Sequence, residues 1–174
     1  MHPEIHVYGR PGQGAELVCR ILARAFSRIP REMSAFVAPR GGRGPADYAI
    51  VLDPALLSGV VRSSLTTDAL VVVNAPMSPC SRLLGGHRVI AVDATGVLGH
   101  SGDRASLAAA MAGAFAAASG LVSVDELLFA IEDELGELPR THVGPLAACA
   151  EAWVETKAPG SVSGVDDPRL QLAS

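Results

Sequence analysis

Three glycines near the amino terminus have a spacing typical of turns that bind phosphate groups. Gly9, Gly12 and Gly14 lie between an apolar run and a helical pattern, in the stretch HVYGRPGQGAELVCRIL. Where such a turn opens a helix, backbone N–H groups and the helix dipole stabilise an anion. We therefore expect the amides of Gly12, Gln13 and Gly14 to face a phosphate. The alternative is a tight strand-to-helix turn that binds nothing.

The spacing differs from that of the dinucleotide-binding fingerprint, which has glycines at its first, third and sixth positions. Pro11 stands at the third position, and proline has no N–H to donate. A nicotinamide or flavin enzyme would also need a carboxylate after the second strand to bind a ribose hydroxyl. That region, SAFVAPRGGRG, contains Arg40 and Arg43 instead. The two arginines favour a phosphorylated ribose, or else belong to a solvated loop or a subunit contact.

Catalytic side chains are scarce. The sequence has no Gly-x-Ser-x-Gly elbow, and no lysine follows Gly14 as it does in a P-loop. Asp53, Asp68 and Asp93 have no histidine or lysine that the sequence places beside them. Asp53 and Asp93 are expected to cap the segments that follow their strands. The sequence therefore does not predict a complete enzyme.

Metal ligands are equally scarce. His2 and His6 have the spacing of two ligands on a helix, but Pro3 and the strand-like run after it make a helix improbable. The cysteines of the chain are Cys19, Cys80 and Cys149. They form no Cys-x-x-Cys motif, so we predict buried free thiols, no disulfide and no metal site.

The elements that position the glycine turn alternate between strand and helix. Strands are predicted in EIHVY, SAFVA, DYAIVLD, DALVVVNAP and HRVIAVDAT. A helix is predicted from Gln13 to about Arg28, and a short one in PALLSGVV. Alternation at this spacing predicts the α/β class, with an open, mainly parallel, Rossmann-like sheet flanked by helices.

The carboxyl-terminal part of the sequence is predicted to be helical. The alanine-rich segment SLAAAMAGAFAAASG forms one helix, which Gly120 ends. Ser123 and Glu126 are spaced as a capping box, which predicts that a helix begins in VDELLFAIEDEL. Pro145 suits the first turn of a last helix that ends near Glu155.

Length and composition indicate one globular domain. The chain has 174 residues, of which 49% are hydrophobic and only 18% charged, so partner chains are expected to cover some apolar surface. We predict a single domain over residues 1–157 and a flexible or partner-docking tail over 158–174. The net charge of −4 disfavours nucleic acid as a partner. With no signal peptide or membrane span in the sequence, a cytoplasmic location and no membrane partner are predicted.

The stretch IHVYGRPGQGAELVCRILARAF resembles the opening of the gamma subunit, or gamma domain, of 2-oxoacid oxidoreductases, the pyruvate:ferredoxin oxidoreductase family. That family opens with a strand followed by Gly-Arg-Gly-Gly-Gln-Gly. The matching residues are Gly9, Arg10, Gly12, Gln13 and Gly14. PRGGRG is similar to the family's Arg-Gly-Gly loop, and AAMAGAFAAASGLVSVDELLFAIEDEL resembles its last helix pair. The resemblance covers roughly residues 4–155.

The chain also departs from the family pattern. Pro11 replaces a glycine of the motif, and the stretch between the Arg-Gly-Gly loop and the third strand is short, without the extra strand usual in the family. The sequence GDRAS stands where the family often has an asparagine–threonine pair. These departures indicate a trimmed, divergent member of the family.

The resemblance implies a non-catalytic gamma subunit of a heteromultimeric enzyme that oxidatively decarboxylates a 2-oxoacid to an acyl-CoA. Thiamine diphosphate, magnesium and iron–sulfur clusters would lie in partner subunits of the alpha, beta and delta types. Ferredoxin or another acceptor would take the electrons through those partners. This chain would help to bind coenzyme A. The implied contacts are Gly9, Arg10, Gly12, Gln13 and Gly14, with Arg40 and Arg43 for phosphate charge.

Two other functions fit the same sequence. The chain could be a purely structural assembly subunit whose glycine turn has lost its ligand. It could also be a stand-alone dinucleotide-binding protein, although Pro11 and the missing carboxylate disfavour this. Pyruvate, 2-oxoglutarate, and branched-chain, indolyl or aryl oxoacids all stay open as substrates of the assembled enzyme, as does the electron acceptor.

Overall fold

The structure, a computed structural model, describes residues 3–30, 33–38, 44–57, 59–76, 84, 86–98, 103–136 and 143–157. Strands within these ranges are β1 (Glu4–Tyr8), β2 (Ser34–Val37), β3 (Ala46–Val51), β4 (Leu65–Asn74) and β5 (Arg88–Val92). They form one sheet in the order β2-β1-β3-β4-β5, and every neighbouring pair is parallel. The predicted open α/β architecture is confirmed, with all described strands parallel.

The predicted helices are present in the predicted order with shifted ends, but the helix at Ala94–Leu98 was not predicted, because Ala94 and Thr95 fall within the predicted fifth strand. They are α1 (Ala15–Phe26), a 3-10 helix (Pro54–Leu56), α2 (Gly59–Ser63), α3 (Ala94–Leu98), α4 (Arg104–Ser119), α5 (Val124–Leu135) and α6 (Val143–Lys157). The single short helix expected in PALLSGVV is therefore two elements, a 3-10 turn followed by α2. Helix α1 begins two residues later than predicted because Gly14, at its N-cap, has a φ of +94° and lies outside the helical region.

The two faces of the sheet have separate cores. Along β4, Leu70 and Val72 point to one face, and Val71 and Val73 point to the other, as expected for a parallel strand that is buried on both sides. The first face is covered by α1, α4, α5 and α6, which we call the helical layer. The second face includes Val61 of α2 in its core.

Helix α4 is buried on all sides. Its residues from Ala108 to Ala117 are almost completely shielded from solvent, as expected for a helix that is apolar all round. A Cβ atom at Gly113 would lie 2.9 Å from Sγ of Cys149, so α6 packs directly on the α4 backbone. Phe115 packs edge-on against Tyr48 of β3, with ring centroids 5.6 Å apart.

The capping box and the helix-ending glycine that the sequence predicts are confirmed. Ser123 and Glu126 form the complete capping box at the start of α5, with both reciprocal contacts present. Gly120 ends α4 in the left-handed conformation, with φ +65°. The side chain of Asp103 accepts a hydrogen bond from the Ser106 N–H at 2.7 Å and so caps the start of α4.

The described cysteines are free thiols. Cys149 is buried as predicted, but the prediction for Cys19 is wrong because it is only partly buried on the α1 surface. Burial raises the pKa of each thiol to about 12, and for Cys19 the nearby Glu16 carboxylate adds to the effect. Cys80 lies outside the described residues.

In the residues that the structure describes, no three histidine, cysteine or carboxylate side chains come together as a metal site. His6 lies on β1, and His2 is outside the described ranges. None of the described helices is long and apolar enough to cross a membrane. The predicted tail, 158–174, also lies outside the described residues.

Candidate functional site

The glycine turn lies at the carboxyl edge of the sheet, where β1 and β3 are neighbours. The chain runs from β1 outward to β2, then returns past β1 and continues through β3, β4 and β5 in the opposite direction. The crevice at such a switch point is where open α/β sheets usually bind their ligands. The topology therefore selects the region that the glycine spacing also selects.

The turn is closed by hydrogen bonds between Arg10 and Gln13. The Gln13 N–H donates to the Arg10 carbonyl oxygen at 3.0 Å, and the Arg10 N–H donates to Oε1 of Gln13 at 2.7 Å. Gly12 and Gly14 both have positive φ, +88° and +94°, which other residues rarely adopt. The turn thus depends on glycine conformations that the Gln13 side chain helps to fix.

Each glycine of the motif occupies a position where the lack of a side chain has a different structural consequence. A Cβ at Gly9 would lie 2.9 Å from Cδ1 of Leu52, so Gly9 lets β1 and β3 end close together. A Cβ at Gly14 would lie 2.8 Å from Cγ and 3.0 Å from the carbonyl oxygen of Arg104, so Gly14 lets α1 begin against α4. No described atom would lie within 4 Å of a Cβ at Gly12. The backbone at Gly12 is therefore open to an approaching molecule.

A cleft of about 740 Å³ opens above the turn. Its lining comprises Gly9, Arg10, Pro11, Gly12, Gly14, Ala15, Glu16, Leu17, Arg20, Val37, Ala38 and Arg104. The cleft is thus built by the glycine turn, the first turns of α1, the end of β2 and the first residue of α4. Its volume lies within the range of roughly 300–1,000 Å³ that is usual for cofactor and ligand pockets.

Arg10 is held by an ion pair across the switch point. Its Nε lies 2.5 Å from Oδ2 of Asp53, which lies two positions after the end of β3. The other carboxylate oxygen of Asp53 accepts a hydrogen bond from the Ala55 N–H at 2.9 Å. Asp53 therefore caps the 3-10 helix, as predicted, and also ties the loop after β3 to the glycine turn.

The other two cleft arginines differ in their partners. Nε of Arg20 lies 2.6 Å from Oε1 of Glu134 on α5, which also binds Arg24. Arg104 has no carboxylate partner among the residues that the structure describes, and its side chain is exposed. Glu16 adds one negative charge to the lining. Arg104 is therefore the cleft cation that no described carboxylate neutralises.

Asn74 joins the carboxyl ends of three strands. Its Nδ2 donates to the Leu52 carbonyl oxygen at 3.0 Å and to Oγ1 of Thr95 at 2.9 Å. Its Oδ1 accepts from the Thr95 N–H at 3.2 Å. Asp93, beside it, caps α3 by accepting from the Gly96 N–H at 2.8 Å, as predicted. These bonds fix the edge of the sheet from which Asp53 reaches Arg10.

The structure brings most of the predicted site residues to one place. Gly9, Arg10, Gly12 and Gly14 line the cleft, and Gln13 shapes the turn beneath it. Arg40 and Arg43 lie outside the described residues, so their role stays a prediction.

Sequence reasoning missed two arginines of the cleft and one asparagine at its edge. Arg20 lies one helical turn after Glu16, a spacing that could have placed both on one face of α1. Asn74 could have been found as a polar residue that ends a strand buried on both sides. Arg104 gave no local signal, because only tertiary packing brings it to the turn.

Comparisons with known proteins agree with the architecture. Residues 34–144 match the family model described as pyruvate ferredoxin/flavodoxin oxidoreductase. The chain is similar to the pyruvate synthase subunit PorC of Methanothermobacter thermautotrophicus, at 34% identity, with 75% of this chain and 83% of that protein covered. It is similar to the pyruvate/ketoisovalerate oxidoreductases common subunit gamma of Pyrococcus abyssi, at 33% identity, with coverages of 77% and 89%.

A solved structure shows the same fold. The pyruvate oxidoreductase subunit PORC of Thermotoga maritima superposes with a TM-score of 0.64 and 21% sequence identity, over 85% of this chain and 94% of that one. The keto/oxoacid ferredoxin oxidoreductase gamma subunit of Geobacter sulfurreducens superposes with the same TM-score at 19% identity. At these identities the likeness supports the fold alone.

Proposed function

The chain belongs to the pyruvate ferredoxin/flavodoxin oxidoreductase family, and from this premise we propose that it is the gamma subunit of a 2-oxoacid:acceptor oxidoreductase. In that assembly its part is to bind coenzyme A and to position it while a 2-oxoacid is oxidatively decarboxylated to an acyl-CoA. The names of its relatives, a pyruvate synthase subunit and a common gamma subunit, support this assignment.

The observation that carries the proposal is the cleft at the switch point. It combines an open backbone at Gly12, the start of α1 and the charge of Arg104, which no described carboxylate neutralises. Coenzyme A carries a pyrophosphate and a ribose phosphate, and these groups need backbone N–H donors and cations. No described residue that lines the cleft is a histidine, serine, cysteine or lysine, so the lining suits binding rather than nucleophilic chemistry.

The partner subunits would divide the chemistry with this chain. Thiamine diphosphate and iron–sulfur clusters in alpha-, beta- and delta-type subunits would supply decarboxylation and carry electrons to ferredoxin or another acceptor. This chain's residues would hold the phosphate end of coenzyme A and so direct its thiol toward the neighbouring subunit. Such orientation can lower a barrier by about 7–11 kcal/mol in the most favourable intramolecular reactions.

A pair of glycine variants tests the role of the cleft in the assembled enzyme. In Gly12→Val, a side chain enters the open space of the cleft, and we expect the KM for coenzyme A to rise at least about tenfold. Thiamine diphosphate binding should not change. The matched control is Gly86→Val, because Gly86 has a similar φ, +97°, and equal open space but precedes β5 at the opposite edge of the sheet.

The control separates backbone strain from loss of the ligand. Both variants force valine into a conformation that favours glycine, so both should lose stability to a similar extent. Only Gly12→Val should alter the dependence on coenzyme A. Loss of thiamine diphosphate binding with an unchanged coenzyme A dependence would contradict the proposed role.

A structural subunit without a ligand is the second candidate. It is favoured by Pro11, which removes one N–H from the turn, and by the carboxylate partners already bound to Arg10 and Arg20. On this hypothesis Gly12→Val would change neither turnover nor coenzyme A dependence. Oxygen-free purification of the tagged chain from its native host, with mass spectrometry of what accompanies it, separates both candidates from a stand-alone dinucleotide-binding protein, which would purify alone.

A further inference from the structure

We propose that Arg104 binds the pyrophosphate of the ligand in the cleft, whereas Arg10 and Arg20 keep their carboxylate partners and shape its walls. The inference deepens the proposed function and rests on it. It assigns the phosphate contact to a residue at the start of α4, far in sequence from the glycine motif.

The ion pairs of the cleft decide which arginine is available. Arg10 would have to leave Asp53, and Arg20 would have to leave Glu134, before either could turn to a phosphate. The side chains of those carboxylates are only 17% and 11% exposed, so each would be left partly desolvated without its cation. Arg104 has no carboxylate partner among the described residues, so it can bind a phosphate without leaving a carboxylate unpaired.

The carboxylate next to Arg104 in sequence is already engaged. Asp103 accepts a hydrogen bond from the Ser106 N–H and so serves as the N-cap of α4. Its negative charge is therefore used at the helix start, where it stabilises the helix dipole. The guanidinium of Arg104 is left to the cleft.

Packing places Arg104 against the part of the turn that suits a pyrophosphate. Its Cγ and its carbonyl oxygen are the atoms nearest to the position of a Cβ at Gly14, the N-cap residue of α1. A phosphate above the start of α1 can thus accept hydrogen bonds from turn amides on one side and from the guanidinium fork on the other. In dinucleotide-binding folds the pyrophosphate occupies this position, and the ribose lies farther out.

Binding measurements on the assembled, oxygen-free enzyme test the assignment. Coenzyme A and dephospho-coenzyme A, which lacks only the ribose phosphate, are titrated by calorimetry without oxoacid, so the measurement is independent of turnover. Arg104→Ala should weaken both ligands by the same factor, about tenfold or more. Arg104→Lys should recover part of the loss, since it restores the charge without the fork. Arg62→Ala, an exposed arginine on α2, should match the wild type.

Each other outcome overturns a definite statement. If Arg104→Ala weakens coenzyme A but not dephospho-coenzyme A, Arg104 contacts the ribose phosphate and the pyrophosphate assignment is wrong. If Arg104→Ala, with its thermal stability preserved, binds both ligands as tightly as the wild type does, Arg104 has no binding role. If the wild-type enzyme binds neither ligand while the same preparation binds thiamine diphosphate, the proposed function itself fails.

Discussion

Small residues serve different purposes in two adjoining regions of the molecule. In the helical layer, the alanines and Gly113 of α4 let neighbouring helices pack at close range, and the interior there is mainly apolar. At the carboxyl edge, Gly12 leaves space open, and the surrounding groups are held by ion pairs and hydrogen bonds. The difference indicates that close packing in one region supports the fold, while directional contacts in the other fix the walls of an open cleft.

The largest effect is expected where the helical layer has no space. In Gly113→Leu, the new side chain would meet the backbone and Sγ of Cys149 on α6. We expect the free energy of unfolding to fall by about 3 kcal/mol, measured by urea denaturation, because overpacking forces α4 and α6 apart. The matched control is Ala147→Leu on the exposed surface of α6, which should cost little. Equal losses in the two variants would show that the helical layer is not close-packed.

A smaller effect is expected at the carboxyl edge. Asn74→Leu keeps the side-chain volume similar but leaves the Leu52 carbonyl and the Thr95 N–H without their partner. The loss should be about 1–3 kcal/mol in thermal or urea unfolding, the usual cost of an unsatisfied buried polar group. Thr67→Leu, exposed on the same strand, is the control. If Asn74→Leu were as stable as Thr67→Leu, directional contacts would not be what holds this edge.

The smallest effect is expected at the start of α5 in the helical layer, and it depends on pH. The N–H and the hydroxyl of Ser123 donate to the Glu126 carboxylate and lower its pKa below the ordinary 4.5. Because the pKa is lower in the folded state, the charged cap stabilises the protein above that ordinary value and loses its effect as pH falls through the folded-state value. Glu126→Gln should therefore lower Tm at about pH 7 and much less at about pH 3.

The control for this titration is Glu132→Gln, an exposed position on the same helix. Glu132 lacks the Ser123 contacts, so the Tm difference between Glu132→Gln and the wild type should not shrink in acid. If the Glu126→Gln difference were as large at low pH as at neutral pH, the cap would act through its geometry and not through the charge.

Most of the fold was predictable because its signals are local. Apolar runs, the Ser123 capping box and aspartates at strand ends each depend on a few adjacent residues, and the structure confirms them. The site was predictable only in part. The Arg104 contact with Gly14 and the Arg20 pair with Glu134 join residues far apart in sequence, so no local pattern indicates them. The late start of α1 was missed because the positive φ of Gly14 places that residue outside the helix, and the apolar spacing of α1 carries no sign of it.

Because Arg104 of α4 packs against Gly14, the cleft can be complete only after α4 has been synthesised. The two residues are 90 positions apart. On the ribosome, β1 can therefore pair with β2, and α1 can form between them, long before α4 emerges. A nascent chain that carries the glycine turn still lacks one wall of its cleft. In the proposed function, affinity for coenzyme A would therefore arise only after α4 has packed against the glycine turn.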